Sequence, residues 1–182
     1  MKILIIGKAG SGKTTAGKYL SEKYGFKTFA LADNVKKFTV DVLNLCNIPA
    51  TLDDMYDVSK KHLYRHYMQY VSTDICKKYF GVNCWCEMLK KNIEDIGCKD
   101  YIIDDIRFIS DYTFWFNPDE DISIKMITHR NAPNQCDKKD ATHPSETETD
   151  KINCQYTIIN DGSFDDLYKQ LDEIINNKRN KK

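Results

Sequence analysis

An eight-residue motif near the start of the chain constrains the fold more than any other feature. Residues 7–14 read Gly-Lys-Ala-Gly-Ser-Gly-Lys-Thr, a complete G-x-x-x-x-G-K-[S/T] pattern. The motif follows the apolar run at residues 3–6, which is typical of a strand buried on both faces, and it opens a helix-period segment from Lys13 to Tyr24. A strand, a glycine-rich turn and a helix in this order predict a loop that binds phosphate groups.

Each residue type in this motif has a physical part in phosphate binding. Glycines let successive main-chain N–H groups point inward, and the helix N-terminus adds its positive dipole end. We expect the Lys13 ammonium to reach the β- and γ-phosphates of ATP, the Thr14 hydroxyl to bind Mg²⁺, and Thr15 to donate to the α-phosphate. ATP and Mg²⁺ are therefore the expected cofactors, and a chance glycine-rich turn is the alternative.

Strand-like and helix-like segments alternate along the rest of the chain. Further strands are predicted at residues 27–31, 101–105, 122–128 and 155–159. Helices are predicted at residues 35–45, 59–80, 111–116 and 164–175, with one more that is capped by Asn83 and ends at Ile96. This alternation predicts an α/β fold with a parallel sheet covered on both faces.

The length of 182 residues predicts a single domain spanning residues 1–182. The polar stretch at residues 130–150 has no apolar periodicity, and loops of this length in compact domains are usually functional or disordered. We interpret it as a lid segment over the bound nucleotides. The polar tail at residues 176–182 is predicted to be a frayed end.

Composition excludes several function classes. The 27 Lys and Arg residues balance the 27 Asp and Glu residues, so the chain lacks the basic field of a nucleic-acid binder. The first apolar run is too short for a signal peptide or a membrane span. Seven cysteines at irregular spacing predict free thiols in a reducing compartment. We expect a cytoplasmic protein with a small-molecule substrate and with neither nucleic acid nor membrane as partner. Whether the protein forms a homodimer is left open.

A phosphate-binding loop is shared by switch GTPases, motor ATPases and small-molecule kinases. A switch GTPase should carry an N-K-x-D signature, and this chain has none. Motor domains are longer and have four apolar residues before the acid, whereas residues 101–105 match that pattern only in part. Alternation along a strand predicts that Asp104 and Asp105 point to opposite faces, so only one of them can face the phosphates. A small-molecule kinase is favoured, and a nucleotide-dependent switch is the alternative.

The chain uses lysine far more often than arginine, so its four arginines are informative: Arg65, Arg107, Arg130 and Arg179. A guanidinium binds phosphate bidentately, which an ammonium cannot do. Arg107 and Arg130 follow predicted strands, where parallel sheets place their ligands. Because phosphoryl transfer to a phosphate needs fixed cations, the arginines favour a phosphorylated acceptor, with surface ion pairs as the alternative.

Six motifs in order along nearly the whole chain resemble those of deoxynucleoside monophosphate kinases of the phage type. They are the phosphate-binding loop, Ala32-Asp33-Asn34-Val35-Lys36, Arg65-His66-Tyr67-Met68-Gln69 with Ser72-Thr73-Asp74, Asp105-Ile106-Arg107-Phe108, His143-Pro144-Ser145-Glu146, and Asn160-Asp161-Gly162. Departures include Asn34 in place of a proline, Ser72 in place of a glycine and Lys77 in place of an arginine. Residues 105–116 also resemble animal-type phosphomevalonate kinases, which lack the H-x-S-E pattern and are the second candidate family.

The resemblance implies a P-loop NTPase fold of the nucleoside monophosphate kinase type, with three α/β/α layers and a five-stranded parallel sheet of order 2-3-1-4-5. It implies transfer of the γ-phosphoryl group of ATP to a deoxynucleoside 5'-monophosphate. The residues implied to bind ATP are Gly10, Ser11, Gly12, Lys13, Thr14, Thr15, Asn160 and Gly162, with Thr14 also on Mg²⁺. Those implied to bind the acceptor are Asp33, Lys36, Arg65, Gln69, Asp105, Arg107 and Glu146. Catalytic parts are implied for Lys13, Asp105, Arg107 and Arg130, and lid positions for Arg130 and Glu146.

Overall fold

The computed structural model describes residues 1–57, 59–130 and 144–180, apart from the side chains of residues 61, 145 and 146. Within these residues the chain divides into two compact units. The first unit comprises Met1–Phe29 and Gly97–Lys182, and the second comprises Ala30–Ile96. The first unit holds the sheet, and the second is helical. The single domain expected from the length stays a prediction.

A five-stranded sheet forms the centre of the first unit. Its strands are β1 (Lys2–Ile6), β2 (Lys27–Phe29), β3 (Tyr101–Ile106), β4 (Ile122–Ile127) and β5 (Tyr156–Ile159). Every pair is parallel, and the order is β2-β3-β1-β4-β5. The predicted fold class and strand order are therefore confirmed. Residues 3–6 of the central strand β1 are all buried, as the unbroken apolar run predicts.

The end of β3 carries a register shift. Leu4 pairs with Ile103 and Ile6 pairs with Ile106, so three steps along β3 match two steps along β1. The extra residue falls at Asp104 and Asp105, and the simple alternation argument for these two carboxylates fails across this irregularity. Bulges of this kind re-aim side chains where a strand ends.

Helices cover both faces of the sheet in the first unit. On one face, α1 (Lys13–Tyr24) and α9 (Phe164–Arg179) share a core with the sheet. The helices contribute Ala16, Leu20, Leu167 and Leu171, and the strands contribute Ile3, Ile5, Ile102 and Ile124. Between the core residues Ile122 and Ile124, Ser123 faces the opposite side. There its Oγ lies 3.1 Å from the hydroxyl of Tyr112 on α7 (Ile109–Trp115), so α7 covers the second face.

The closing helix α9 is longer than the sequence predicts. Ser163 and Asp166 form a capping box at its start. The helix continues to Arg179, and Lys178 Nζ donates to the carbonyls of Asp119 and Asp121 at 3.1 and 3.0 Å. The prediction that the chain frays from residue 176 is therefore wrong for residues 176–179, which are helical. The two carbonyls that Lys178 binds hold this last turn in place.

The second unit is built from α2 (Leu31–Leu45), α3 (Leu52–Tyr56), α4 (Lys61–Gln69), α5 (Lys78–Phe80) and α6 (Cys84–Ile96). Helix α2 begins at Leu31, which the sequence prediction gave to the second strand. Its first turn therefore contains Asp33. Helix α3 was not predicted, although Thr51 and Asp54 form a capping box that marks its start.

The segment predicted as one regular helix over residues 59–80 is helical but not uniform. A π-helical stretch, Tyr70–Lys77, lies between α4 and α5. Within it the Ser72 carbonyl accepts a 3.1 Å hydrogen bond from the indole nitrogen of Trp85, so this acceptor is satisfied from outside the segment. The helix predicted to follow Asn83 and to end at Ile96 is confirmed as α6. The side-chain cap expected from Asn83 is wrong, because its side-chain oxygen is buried and makes no hydrogen bond within the described residues.

The end of the predicted lid segment is ordered into two short turns, α8 (Pro144–Thr147) and a 3₁₀ turn, Glu148–Lys151. Lys125 Nζ donates to the carbonyls of Asp150 and Ile152 at 2.8 and 3.1 Å, which anchors this end to β4. In the part of the chain that the structure describes, no helix is both long and apolar enough to span a membrane.

Candidate phosphate-binding site

The carboxyl ends of the parallel strands lie along one edge of the sheet, where α/β proteins place their ligands. The glycine-rich loop follows β1, Arg107 follows β3, Arg130 lies just past β4, and Asn160 follows β5. Because β1 lies between β3 and β4, the loop is flanked by the ends of both neighbours. The sheet therefore brings the predicted residues of the first unit to one edge.

The glycine-rich loop has the bend that its motif predicts. Gly10 and Gly12 have φ angles of 79° and 94°, in the left-handed region that favours glycine. The Gly12 carbonyl accepts from the Ala16 N–H at 3.0 Å and so begins α1. The Lys13 ammonium donates to the Lys8 carbonyl at 2.7 Å. A loop of this conformation at a helix N-terminus is suited to binding an anion.

The hydroxyl groups of the motif have different surroundings. Thr14 is exposed and Thr15 half-buried at the start of α1, so both are accessible to a ligand. Ser11 is 1% exposed, and its Oγ makes no hydrogen bond within the described residues. A Cβ on Gly7 would collide with this Oγ, which means that the Ser11 side chain is turned toward the base of the loop. If Ser11 contacts ATP as predicted, it does so through its main-chain atoms.

The Thr14 hydroxyl is accessible to a magnesium ion that binds together with nucleotide. No group of three or more His, Cys, Asp or Glu side chains among the described residues could hold a metal alone. Mg²⁺ is usually held by one or two protein oxygens, with phosphate oxygens and water as its other ligands. The exposed Thr14 hydroxyl suits that arrangement. Asp104 lies on the side of the sheet covered by α1, since a Cβ on Gly17 would be 3.6 Å from its Oδ2.

The loops after β4 and β5 are joined by hydrogen bonds. The Asn160 carbonyl accepts from Thr128 Oγ1 at 3.2 Å and from the Arg130 guanidinium. The Asp161 carboxylate accepts from Thr128 Oγ1 at 3.0 Å and from the His129 N–H at 2.8 Å, and it pairs with His129 Nδ1 at 2.6 Å. The side-chain hydrogen bond with His129 is the main cause that lowers the pKa of Asp161 to about 2.

The turn after β5 also touches the glycine-rich loop. Asn160 Nδ2 donates a buried hydrogen bond of 3.0 Å to the Ser11 carbonyl. Gly162 lies against the start of its own helix, since a Cβ there would collide with Oδ2 of Asp166 in the capping box, and its contact with ATP stays a prediction. A larger residue at position 162 would therefore disturb the capping box at the start of α9.

A groove of about 340 Å³ opens beside Thr14 and Thr15. Lys18, Tyr19, Glu22, Phe164 and Tyr168 complete its lining. The rings of Tyr19 and Tyr168 stack at 3.9 Å between centroids, and the Phe164 ring follows at 6.2 Å with 68% of the residue exposed. Exposed aromatic rings of this kind can stack on a nucleobase.

The second unit holds a separate cluster around a predicted acceptor residue. Asp33 Oδ1 accepts from the Tyr56 hydroxyl at 2.6 Å and lies 3.4 Å from Lys36 Nζ. The same ammonium lies 3.7 Å from the centroid of the Tyr56 ring. Burial, followed by the hydrogen bond to Asp33, raises the pKa of Tyr56 to about 12. Asp33 and Lys36, both predicted to bind the acceptor, thus lie together, and Tyr56 contacts both of them.

Sequence reasoning missed Tyr56 because it lies on α3, a helix with only a capping box to announce it. The other predicted acceptor residues of this unit, Arg65 and Gln69, are four residues apart on α4 and so share a face of that helix. Both side chains are half-buried. Their contact with an acceptor stays a prediction.

The lid residues are described only in part. Residues 131–143, including His143 of the H-x-S-E motif, lie outside the described residues, and so does the side chain of Glu146. The end of the segment approaches the glycine-rich loop through an ion pair of 2.7 Å between Asp150 and Lys8. Glu148 Oε2 accepts from the Ile109 N–H at 3.2 Å, which joins the segment to the start of α7.

Comparison with known proteins agrees with this architecture. No family model matches the chain. The chain is 26% identical over 193 residues to a protein of Acanthamoeba polyphaga mimivirus named "Putative deoxynucleotide monophosphate kinase", with 95% of each sequence aligned. Among solved structures it resembles shikimate kinase from Aquifex aeolicus vf5 (TM-score 0.50, 12% identity, 98% of each chain) and dephospho-CoA kinase from Campylobacter jejuni (TM-score 0.51, 12% identity, 97% of this chain and 96% of the other).

The chain has the fold of small P-loop kinases. The predicted fold class is confirmed by these structures, and the predicted resemblance to a viral type of nucleotide kinase is confirmed by the mimivirus relative. The resemblance to the viral protein extends over nearly the full length of both sequences.

Proposed function

We propose that this protein is an ATP-dependent kinase that transfers the γ-phosphoryl group of ATP to the phosphate of a deoxynucleoside 5'-monophosphate. The observation that carries the proposal is the glycine-rich loop, with two glycines at positive φ and Lys13 lying across it at the start of α1. The acceptor class is supported by the six sequence motifs and by the name of the mimivirus relative.

The donor nucleotide is proposed to bind at the sheet edge of the first unit. Main-chain N–H groups from Gly10 to Lys13 would hold its phosphates, and Thr15 would donate to the α-phosphate. The groove beside Thr14 and Thr15 would receive its base, with Phe164 as a stacking surface. The Thr14 hydroxyl would hold Mg²⁺ together with the nucleotide, and the ion would supply positive charge that offsets the charge of the phosphates.

The cationic side chains at this edge are proposed to compensate the charge of the transferring group. Lys13 leaves the Lys8 carbonyl and follows the γ-phosphate, while Arg107 and Arg130 contribute from the ends of β3 and β4. A phosphate acceptor is already ionised at neutral pH, so little general-base help is required. Asp105 is proposed to orient groups at the end of β3.

The acceptor is proposed to bind residues of the second unit. Asp33 and Lys36, held with Tyr56 in one cluster, offer a carboxylate and an ammonium to a nucleoside monophosphate. Arg65 offers a bidentate guanidinium to its phosphate, and the Gln69 amide can both donate to and accept from a base edge. The balance of 27 basic and 27 acidic residues supports a small substrate over nucleic acid, and the seven irregularly spaced cysteines support a cytoplasmic place of action.

A coupled assay of ADP release across possible acceptors tests the proposal. The panel contains dTMP, dGMP, dCMP, dAMP, the ribonucleoside monophosphates and phosphomevalonate, with shikimate as a hydroxyl acceptor for comparison. We expect release to depend on a deoxynucleoside monophosphate. Release that depends only on phosphomevalonate or shikimate, or slow hydrolysis that ignores every acceptor, would contradict the proposed function.

A further inference from the structure

Asn160 occupies a position that links three loops at the edge of the sheet. It directly follows β5 and is 8% exposed. Its N–H donates to the Ile127 carbonyl at 2.8 Å, which ties it to the end of β4. Its side-chain amide donates to the Ser11 carbonyl at 3.0 Å, across 149 residues of sequence. One residue thus joins the ends of β4 and β5 to the glycine-rich loop.

The glycine-rich loop is shaped to fit this amide. A Cβ on Gly12 would collide with Asn160 Nδ2, and Gly12 itself has a φ of 94°. The Asn160 amide therefore fills the space beside Gly12 and binds the carbonyl of the preceding residue. Since Ser11 and Gly12 directly precede Lys13, the position of this amide affects the part of the loop that begins α1.

The Asn160 main chain is in turn held by the loop after β4. Its carbonyl accepts from the Arg130 guanidinium and from Thr128 Oγ1. The next residue, Asp161, binds both the main chain and the ring of His129. Residues 128–130 and residues 160–161 are therefore joined by several hydrogen bonds. Asn160 contacts Arg130 through its carbonyl and the glycine-rich loop through its side-chain amide.

We infer that Asn160 is a positioning residue for the donor nucleotide: its amide holds the Ser11 carbonyl and so fixes the phosphate-binding loop, and Arg130 acts on that loop through Asn160. This rests on the proposed function only in taking the glycine-rich loop as the nucleotide site. It differs from the direct contact with ATP that the sequence motif implies for Asn160. It also predicts that Arg130 affects the binding of ADP, although ADP lacks the γ-phosphate whose charge Arg130 is proposed to compensate.

Binding of ADP measured by calorimetry, without any acceptor, tests this inference. We expect Asn160→Ala to raise the Kd for ADP roughly tenfold, because the Ser11 carbonyl loses its buried donor. In steady-state assays the KM for ATP should rise while the KM for the acceptor changes little. Loss of stability alone would leave both KM values unchanged in the fraction of protein that stays folded.

Ser123→Ala provides a matched control in the same unit. Ser123 is fully buried, and its Oγ accepts from the Gln155 N–H at 2.9 Å and contacts Tyr112 on the other face of the sheet. Its replacement also removes buried hydrogen bonds, so unfolding should be easier, but the Kd for ADP should stay at the wild-type value. A Kd that rises equally in both variants would overturn the inference, since the effect would then be one of general stability.

A double substitution tests the part assigned to Arg130. Arg130→Ala alone should raise the Kd for ADP about threefold, and it should have a smaller effect in the Asn160→Ala background. Fully additive effects would contradict action through Asn160. If wild-type protein binds neither ADP nor ATP, the proposed function fails, whereas normal ADP binding by Asn160→Ala refutes this inference alone.

Discussion

The Tyr56 hydroxyl donates a 2.6 Å hydrogen bond to Oδ1 of Asp33, and the Lys36 ammonium lies 3.7 Å from the centroid of the Tyr56 ring. A single tyrosine therefore contacts both residues that the sequence motif assigns to the acceptor. Its raised pKa of about 12 keeps the phenol a neutral donor over the pH range in which kinases are assayed. Tyr56 thus helps to orient Asp33 and Lys36.

Replacing Tyr56 by phenylalanine removes this donor and keeps the ring beneath Lys36. We expect Tyr56→Phe to raise the KM for the acceptor about three- to tenfold, because one hydrogen bond to a carboxylate is lost. The KM for ATP should not change. Tyr79→Phe, at a tyrosine that is 69% exposed in the same unit, is the control and should behave as wild type. Equal acceptor KM values for all three proteins would remove Tyr56 from the acceptor site.

Lys13 is expected to contribute more to turnover than to folding. Lys13→Ala removes a charge proposed to follow the γ-phosphate, and we expect kcat to fall on the order of a hundredfold or more. Circular dichroism and thermal unfolding should stay close to wild type, because the ammonium donates to a carbonyl at the protein surface.

Lys8→Ala is the matched control for Lys13. It keeps the main-chain carbonyl that Lys13 binds and removes only the exposed ion pair with Asp150, in which both side chains are more than half exposed. Such pairs contribute little, so turnover should change less than about twofold. Similar losses in both variants would argue that the loop needs general positive charge rather than the Lys13 ammonium.

The arginines are expected to act through their forked geometry. Arg65→Lys and Arg107→Lys keep the charge and lose bidentate binding, so each should raise the KM for the acceptor steeply with little change for ATP. Arg179→Lys is the control, since Arg179 lies on α9 over the ring of Tyr24. A matching rise in the KM for ATP would place Arg65 or Arg107 on the donor side.

Asp161 should make the loops after β4 and β5 sensitive to acid. The pKa of Asp161 is lowered from 3.8 to about 2 in the folded protein. The ionised carboxylate therefore stabilises the folded state at pH values above 3.8, and this stabilisation is lost as the pH falls from 3.8 to about 2. Asp161→Asn should therefore lower the Tm at neutral pH, and its difference from wild type should shrink toward pH 2. Asp119→Asn, at an exposed carboxylate, should show a smaller difference in Tm. A Tm difference for Asp161→Asn that does not change between pH 6 and 2 would contradict this.

The sheet and the glycine-rich loop could be predicted because local patterns specify them. Unbroken apolar runs give the buried strands, and the loop motif fixes the junction between β1 and α1. The register shift at Asp104 and Asp105 could not be predicted, because it depends on how β3 pairs with β1. The same holds for Tyr56 and for the amide of Asn160, whose partners are distant in the sequence.

The polar tail shows a second limit of local patterns. Residues 176–179 lack apolar side chains, yet they continue α9, because Lys178 binds two carbonyls of the turn before β4. Likewise, the charged helical segment after residue 59 gave no sign of its π-helical stretch, where the Ser72 carbonyl bonds to Trp85. In both cases the segment makes a polar contact with residues outside it, which a local pattern does not reveal.

Transfer of label from γ-labelled ATP to a deoxynucleoside monophosphate distinguishes a kinase from a nucleotide hydrolase. Protein incubated with labelled ATP, Mg²⁺ and each deoxynucleoside monophosphate in turn should yield labelled deoxynucleoside diphosphate, separated by chromatography, with at least one base. The Lys13→Ala variant should yield on the order of a hundredfold less in the same time. Label found only in inorganic phosphate, at a rate unaffected by any monophosphate, would refute the proposed phosphoryl transfer and identify a nucleotide hydrolase or switch instead.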